Sequence, residues 1–256
     1  MKKKGFTLVE LLVVIAIIAL LMSILMPALA MVKEMANRVV CGSNCGGLVK
    51  AMMVYSNDTD SQRFPRTGVS TTAWGALDTT AWKTATVSSC LYLLVRFQYA
   101  GPKSFICKSD PSASELKVAD PAANWDFGDK KANCSYAYQL PYTAYGSMSG
   151  SSEPGMAVLA DRNPYVVPPP LGTVPATQNL SGNSQNHSFD GQEVAHVDAS
   201  VSWNKVPYCG IDGDDIYTYR AAATDRPDVP GVLPAPSATP LPVTTDRDNV
   251  VVSETK

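Results

Sequence analysis

The sequence predicts an α+β protein in which one long N-terminal helix packs on a small, irregular antiparallel β head. Three observations lead to this prediction: an apolar run near the N-terminus, hydrophobic residues at helical spacing after it, and short β-prone stretches between turn residues further on. The 256 residues suffice for one good-sized domain with appendages. A net charge of −2 argues against a nucleic-acid-binding protein, because such proteins carry a basic patch.

The first element is an apolar helix that begins beside three lysines, Lys2–Lys4. Residues 8–26 are apolar apart from Glu10 and Ser23. As a helix they span about 28 Å, close to the hydrocarbon thickness of a bilayer, about 30 Å. The lysines predict that the N-terminus stays in the cytoplasm. A carboxylate at Glu10 is costly in lipid, so the segment predicts a positively charged partner for it.

Two other interpretations fit the same segment. Ala28-Leu29-Ala30 has the form of a secretory cleavage site, and cleavage after Ala30 would release a soluble exported protein. Alternatively, a plain membrane anchor would display the head as a binding module without polymerising. The length of the apolar run and the acid inside it disfavour an ordinary signal peptide.

Beyond Pro27 the hydrophobic residues keep a helical rhythm, which predicts that the helix continues to about residue 55. The predicted buried stripe consists of Val32, Met35, Val39, Val49 and Met52 or Met53. Each glycine inside a helix costs about 1 kcal/mol relative to alanine. The sequence CGSNCGG at residues 41–47 therefore predicts a bend or a melted turn. The turn-forming residues 56–60 end the helix.

The head is predicted from short β-prone stretches between clusters of turn-forming residues. These stretches are Cys90–Phe97 (with a helical alternative), Ser104–Cys107, Ser135–Leu140, Ala157–Leu159, Glu193–Val197 and Ser200–Trp203. Residues 166–170 and 181–186 are predicted as loops. The prolines between residues 227 and 242 predict an extended, mobile tail. The predicted divisions are a leader at 1–5, an apolar helix at 6–27, its soluble half at 28–60, the head at 61–221 and the tail at 222–256.

Six cysteines, an even number in a chain with an export-type N-terminus, fit disulfides formed in an oxidising compartment. Their spacing does not choose among the pairings, and fewer bonds or none also fit. Cys41 and Cys45 lie one helical turn apart, where the geometry of a direct bond is awkward. A Cys41–Cys107 bond is one alternative. The candidates are Cys41, Cys45, Cys90, Cys107, Cys134 and Cys209.

Two groups of side chains are candidate metal ligands, and no other cofactor is indicated. Asp212, Asp214 and Asp215 surround a glycine, and such a loop could supply part of a Ca²⁺ site, although an acidic solvated turn has the same pattern. His187 and His196, with Asp198 and a cysteine, could in principle bind zinc. Hairpin histidines more often hydrogen-bond to nearby backbone, which favours the simpler interpretation.

The sequence contains no common catalytic motif. A Gly-x-Ser-x-Gly elbow, a phosphate-binding Gly-x4-Gly-Lys-Ser/Thr loop and a His-Glu-x-x-His pair are all missing. Two histidines leave few arrangements for a Ser/His or Cys/His nucleophile. We therefore predict a structural protein rather than an enzyme.

The residues KGFTLVE at positions 4–10, followed by the apolar run, resemble the prepilin signal of type IV pilins and type II secretion pseudopilins. The resemblance implies cleavage between Gly5 and Phe6 by prepilin peptidase, with methylation of Phe6 and retention of the apolar helix. It also implies that Glu10 pairs with the terminal ammonium of a neighbouring subunit. Pro27 stands where many members of this family have a helix-bending proline.

Four further stretches resemble pilin-like proteins of planctomycetes and related bacteria, so that the resemblance covers residues 1 to about 220. Lys108 replaces a usual proline, and Ala199-Ser200 replace a usual Gly-His, which weakens a metal site in that hairpin. The stretches are RVVCGSN at 38–44 leading to MVYSND at 53–58, FICKSD at 105–110, NHSFDGQEV at 186–194 leading to Trp203, and GIDGDDIY at 210–217.

The resemblance implies a pilin-like subunit of the bacterial inner membrane, with its N-terminus in the cytoplasm and its head in the periplasm. Its implied partners are prepilin peptidase, other pilin or pseudopilin subunits and the inner membrane, without nucleic acid. Head-to-tail packing that does not close on itself produces a fibre. A type II secretion pseudopilus and a type IV pilus-like filament both fit this interpretation.

Overall fold

The computed structural model describes residues 7–67, 77–78, 83–84, 86–139, 141, 148–164, 182–217 and 251–252. The chain divides into two compact units, Met1–Asn37 and Arg38–Lys256. The predicted α+β architecture is confirmed, since one long N-terminal helix accompanies a small antiparallel sheet.

Helix α1 runs from Leu8 to Asp58 without interruption, so the melted turn predicted at residues 41–47 is wrong. Two of the three glycines in this region, Gly42 and Gly46, lie in close packing instead. A Cβ on Gly46 would lie 3.1 Å from Cγ2 of Val201, and one on Gly42 would lie 3.3 Å from Oε2 of Glu193. Tertiary packing against the sheet therefore offsets the low helix propensity of these glycines.

The buried face of α1 differs from the predicted stripe. Val39 is 73% exposed, whereas Val49 and Met52 are fully buried as predicted. Cys41 and Cys45 complete the buried face at helical spacing. A cysteine without a disulfide packs as a small apolar residue. The predicted buried face was based on larger hydrophobic side chains and therefore left out these two positions.

The sheet of the head has the strand order β6-β5-β4-β3-β7, and every neighbouring pair is antiparallel. Four of the predicted β-prone stretches are confirmed as β3 to β6. A separate short hairpin is formed by β1 (Leu77–Asp78) and β2 (Lys83–Thr84). The strands of the larger sheet are β3 (Tyr136–Gln139), β4 (Ala157–Asp161), β5 (Gln192–His196), β6 (Val201–Asn204) and β7 (Val251–Val252).

Two other stretches are helical. Helix α2 covers Val87–Arg96, the helical alternative for that segment, and begins with a capping box between Thr86 and Ser89. The strand predicted at Ser104–Cys107 is wrong, because Pro102–Phe105 form a 3-10 helix with proline at its first position. A single-turn helix, α3, covers Lys130–Asn133.

The main core lies between the C-terminal half of α1, helix α2 and one face of the sheet. Aromatic rings in edge-to-face contact fill its centre, with ring centroids 5.2 Å apart for both Tyr92–Phe127 and Phe105–Phe127. A smaller cluster, containing Ile216 and Tyr217, packs on alanines of β3 and β4. All five residues of β4 are consequently buried.

The predicted tail requires one correction. Val251–Val252 form strand β7, which pairs with Tyr138 and Gln139 of β3. Two consecutive valines favour a strand. The prediction missed this short strand because it treated the whole proline-rich segment as extended and mobile. The rest of the predicted tail, with the predicted loop at 166–170, lies outside the described residues.

Candidate functional site

The first candidate site is the apolar half of α1. Its large hydrophobic side chains from Leu8 to Val32 are between 46% and 78% exposed. Every buried residue of α1 lies at or beyond Cys41. An 18-residue window of this helix has a mean hydropathy of 3.0, so α1 is long and apolar enough to cross a membrane. Such a surface requires lipid or other protein around it.

Glu10 lies in the first turn of this helix and forms a capping box with Thr7. Its Oε2 accepts hydrogen bonds from the Thr7 amide at 2.8 Å and the Thr7 hydroxyl at 2.7 Å. The Glu10 amide in turn donates to Oγ1 of Thr7 at 3.3 Å. This reciprocal pattern satisfies amide groups at the start of the helix. The carboxylate therefore has a structural partner within its own subunit, which the sequence analysis did not predict.

The remaining predicted residues of this site are only partly described. Gly5 and Phe6 lie outside the described residues, so processing between them stays a prediction. Pro27 lies inside α1. The bend predicted at Pro27 also stays a prediction.

The second candidate site is a buried cluster in the head formed by Cys41, Cys107, Asp161 and His187. One potential ligand atom from each residue lies within 4.8 Å of all the others. Nε2 of His187 is 3.4 Å from Sγ of Cys107 and 3.5 Å from Oδ2 of Asp161. All four side chains are fully buried. We call this group the thiol–histidine cluster.

Four different segments supply this cluster. Cys41 comes from α1, Cys107 from the loop after the 3-10 helix, and Asp161 from the last position of β4. His187 stands in a turn in which it and the next two residues, Ser188 and Phe189, have φ between 56° and 66°. Left-handed conformations cost non-glycine residues roughly 1–2 kcal/mol each. Strain of this kind persists where the surrounding structure fixes it, often at functional sites.

The electrostatics of the cluster favour negative charge on the sulfur of Cys41 and disfavour it on Cys107 and on Asp161. Hydrogen bonding with Cys107 lowers the pKa of Cys41 to about 6, against the opposing effect of burial. The same pairing, together with burial, raises the pKa of Cys107. Burial raises the pKa of the Asp161 carboxyl to about 6, although nearby His187 and Asn186 lower it. Of the two thiols, Cys41 therefore gives up its proton more readily, beside a carboxyl that is poorly solvated.

Neighbouring residues hold the cluster in place. Asp161 accepts hydrogen bonds from Nδ2 of Asn186 at 2.9 Å and from the amide of Glu193 at 2.8 Å. The Tyr136 hydroxyl donates to Sγ of Cys41 at 3.5 Å. The ring of Trp203 stands edge-on to His187 with centroids 5.3 Å apart. The Arg38 guanidinium lies 4.0 Å above the centroid of that indole ring and forms an ion pair with Asp190.

The sequence analysis identified part of this cluster. Cys41 and Cys107 were considered together as a disulfide, and His187 was considered as a zinc ligand. His196 and Asp198 do not join the cluster, and His196 lies beside the Ser200 hydroxyl instead. The zinc grouping of both histidines, which the sequence analysis disfavoured, is therefore not formed among the described residues. Asp161 was missed because a carboxylate at the end of an apolar strand has no distinctive sequence pattern.

All six cysteines are free thiols in the structure, and four of them lie outside the thiol–histidine cluster. Burial raises the pKa of three of these thiols, Cys45, Cys134 and Cys209, to about 12 for the last two. The thiol of Cys90 is also buried and lies 3.2 Å from the Thr86 carbonyl oxygen, to which it donates. Disulfide pairing among the six stays a prediction.

The acidic loop at Asp212–Asp215 takes a different form from the cluster. Asp212 has a φ of 58° and is exposed, whereas Asp214 and Asp215 are buried. Oδ1 of Asp215 accepts a hydrogen bond from the Tyr217 amide at 2.9 Å. Within the described residues these carboxylates do not form a close group of potential ligands like the thiol–histidine cluster. A Ca²⁺ site there stays a prediction.

Comparison with known proteins agrees with the N-terminal features. A family model for the prokaryotic N-terminal methylation motif matches residues 1–26. The type IV wide pilus major component PilA4 of Thermus thermophilus is 45% identical over 58 residues, which make up 23% of this chain. The chain covers 44% of the length of that relative. No solved structure matches the chain.

Proposed function

We propose that this chain, which is type IV pilin-like, is a subunit of a helical filament that is assembled through the apolar half of α1. The observation that carries the proposal is the continuous exposure of large hydrophobic side chains between Leu8 and Val32. A helix that is apolar on all sides is stable only inside lipid or protein. A membrane before assembly and a bundle of identical helices after assembly provide these two environments in turn.

Glu10 supports assembly rather than simple anchoring. Among the described residues, the carboxylate accepts hydrogen bonds from Thr7 at the very start of α1. A negative charge at that position remains costly in apolar surroundings unless a cation approaches it. The ammonium of a processed N-terminus at Phe6 on a neighbouring subunit has the required charge. Pairing between adjacent copies then stabilises one register of the helices over others.

The proposed membrane topology follows from residues at the N-terminus. Lys2–Lys4 favour a cytoplasmic N-terminus, and the unit from Arg38 onwards then folds in the periplasm. Prepilin peptidase would remove residues 1–5 at the cytoplasmic face of the inner membrane. The role is mechanical, with no catalytic group required. The pilus relative favours a type IV pilus-like filament over a secretion pseudopilus.

The mass of the mature N-terminus tests the processing step. We expect chains recovered from the native host to begin at Phe6 and to carry one additional methyl group. A chain that begins at Met31 would identify a secretory signal peptide and would refute the proposal. A chain that keeps Met1–Gly5 would identify a plain anchor and would refute it equally.

A further inference from the structure

We propose that the thiol–histidine cluster is a structural zinc site with Cys41, Cys107, Asp161 and His187 as its four ligands. Zinc in proteins is bound by cysteine sulfur, histidine nitrogen and carboxylate oxygen, and its structural sites have four protein ligands. The cluster supplies this set of donors. Soft thiolates with an imidazole favour zinc over the harder cations that prefer oxygen.

The distances between the ligand atoms match a tetrahedral zinc ion. Zinc–ligand bonds of about 2.0–2.3 Å place adjacent ligand atoms roughly 3.3–3.8 Å apart in a tetrahedron. Nε2 of His187 already lies 3.4 Å from the Cys107 sulfur and 3.5 Å from Oδ2 of Asp161. All pairs of ligand atoms lie within 4.8 Å. Small side-chain movements therefore complete the coordination.

The charges of the cluster also fit a bound cation. Two cysteines and an aspartate that are fully buried together would place several negative charges in a medium that disfavours them. A divalent cation compensates two such charges. The buried Glu193 also faces this region, and Arg38, which lies over Trp203, provides a compensating positive charge.

Residues around the cluster orient the ligands as in known metal sites. Asn186 and the Glu193 amide fix both oxygens of Asp161, and Tyr136 donates to the Cys41 sulfur. Outer hydrogen bonds of this kind hold metal ligands in the geometry that the ion requires. The left-handed turn at His187 brings the imidazole to the cluster at a cost in backbone strain, which a metal bond would offset.

A zinc ion at this position would connect four segments that are distant in sequence. It would join the soluble half of α1 to the loop at Cys107, the end of β4 and the turn before β5. No ligand atom is exposed, and the proposed coordination has no open position, so the role is structural rather than catalytic. The bound zinc would hold the head against the part of α1 that belongs to the same unit, from Arg38 onwards.

Zinc analysis of the full-length protein tests this proposal. The protein is produced in zinc-containing medium and purified in detergent under reducing conditions without chelator. We expect about one zinc per chain, bound to two sulfur and two nitrogen or oxygen atoms at about 2.0–2.3 Å by X-ray absorption. Absence of zinc from the folded wild-type protein, or a coordination shell without sulfur, would overturn the proposal.

Variants identify the ligands. We expect His187→Gln and Cys107→Ser to lose the zinc, while His196→Gln and Cys209→Ser retain it as matched controls outside the cluster. Asn186→Ala, which removes a positioning residue, should bind zinc about 10- to 100-fold more weakly. Asn186→Ala keeps all four ligands, so it remains informative if the ligand variants do not fold. Equal zinc contents in the wild type and His187→Gln would contradict the assignment.

The oxidation state of the cluster provides an independent test. A Cys41–Cys107 disulfide would consume both thiolate ligands and exclude the metal. We expect peptide mapping of protein isolated from the native host, alkylated at once without reductant, to show both residues as alkylated thiols. A Cys41–Cys107 disulfide in that sample would refute the zinc site and would leave the proposed filament function unaffected.

Discussion

Replacing Glu10 by glutamine is expected to reduce incorporation of the subunit into filaments by about tenfold or more, because the carboxylate can no longer pair with a terminal ammonium. Glutamine retains the capping-box geometry, since either Glu or Gln serves at that helix position. The substitution thus removes the charge and preserves the local fold of the helix start. Incorporation is measured by comparing the subunit in sheared filaments with the total in the cell.

Thr7→Ala is the matched control for this prediction. It removes the hydroxyl that bonds to Oε2 of Glu10 and leaves the carboxylate in place. We expect Thr7→Ala to assemble nearly as well as the wild type, and Glu10→Gln to insert into the membrane at the wild-type level. If Glu10→Gln assembled normally, or if both variants failed equally, the carboxylate would act as a helix cap and the pairing role would be refuted.

Replacing Asp110 by asparagine is expected to destabilise the head by about 3–5 kcal/mol, because it leaves the buried Arg162 guanidinium without a counter-charge. Nη2 of Arg162 donates to Oδ2 of Asp110 at 2.6 Å and also to the carbonyl oxygens of Lys131 and Cys134. Both side chains of this ion pair are essentially inaccessible to solvent. Urea unfolding of the full-length protein in detergent, followed by near-ultraviolet circular dichroism, measures the change in free energy of unfolding.

Asp190→Asn is the control, because the Arg38–Asp190 pair has a similar distance of 2.8 Å but lies at the surface. A surface ion pair contributes about 0–1 kcal/mol, so its loss should change stability little. A double variant, Asp110→Leu with Arg162→Met, should be more stable than Asp110→Asn alone, since it removes the uncompensated charge. A loss below about 1 kcal/mol in Asp110→Asn would contradict the assigned role of the pair.

The acid dependence of stability provides a second readout of this pair. Burial would raise the pKa of Asp110, but Arg162 and the hydrogen bonds from Ser112 and Ser135 together lower it. The folded protein therefore binds a proton here less readily than the unfolded chain. This contribution to stability is present above the usual aspartate pKa of about 3.9 and is lost as the pH falls below it. Asp110→Asn should show a shallower loss of stability over that acidic range.

The N-terminal half of the architecture was predictable because its signal is strong and local. A long apolar run predicts both a helix and an apolar environment around that helix, and the structure confirms the helix. Four strands of the head were predictable from β-prone stretches between turns. The 3-10 helix at Pro102–Phe105 was missed although the proline at its first position is a local signal. The strand at Val251–Val252 was not predictable because its partner, β3, is remote in sequence.

The head motifs identified in the sequence meet in space, which the sequence alone could not establish. The Asn44 side chain donates to the Ile106 carbonyl oxygen at 3.3 Å, which joins the first motif to the second. Cys41 and Cys107 come from the same two motifs and meet His187 from the third. Asp161 lies in none of these motifs. Tertiary packing therefore determines the composition of the cluster, and local spacing does not.

The most direct test of filament assembly is photo-crosslinking in the native host. A photoreactive phenylalanine analogue at Leu20, which is 63% exposed in the apolar half of α1, should link the chain to further copies of itself. The same analogue at Val206, which is 50% exposed on the head, serves as the matched control for an exposed hydrophobic position. We predict a ladder of dimers and higher oligomers from Leu20 that disappears in Glu10→Gln. Adducts of Leu20 with lipid alone, without any ladder, would contradict assembly through this helix.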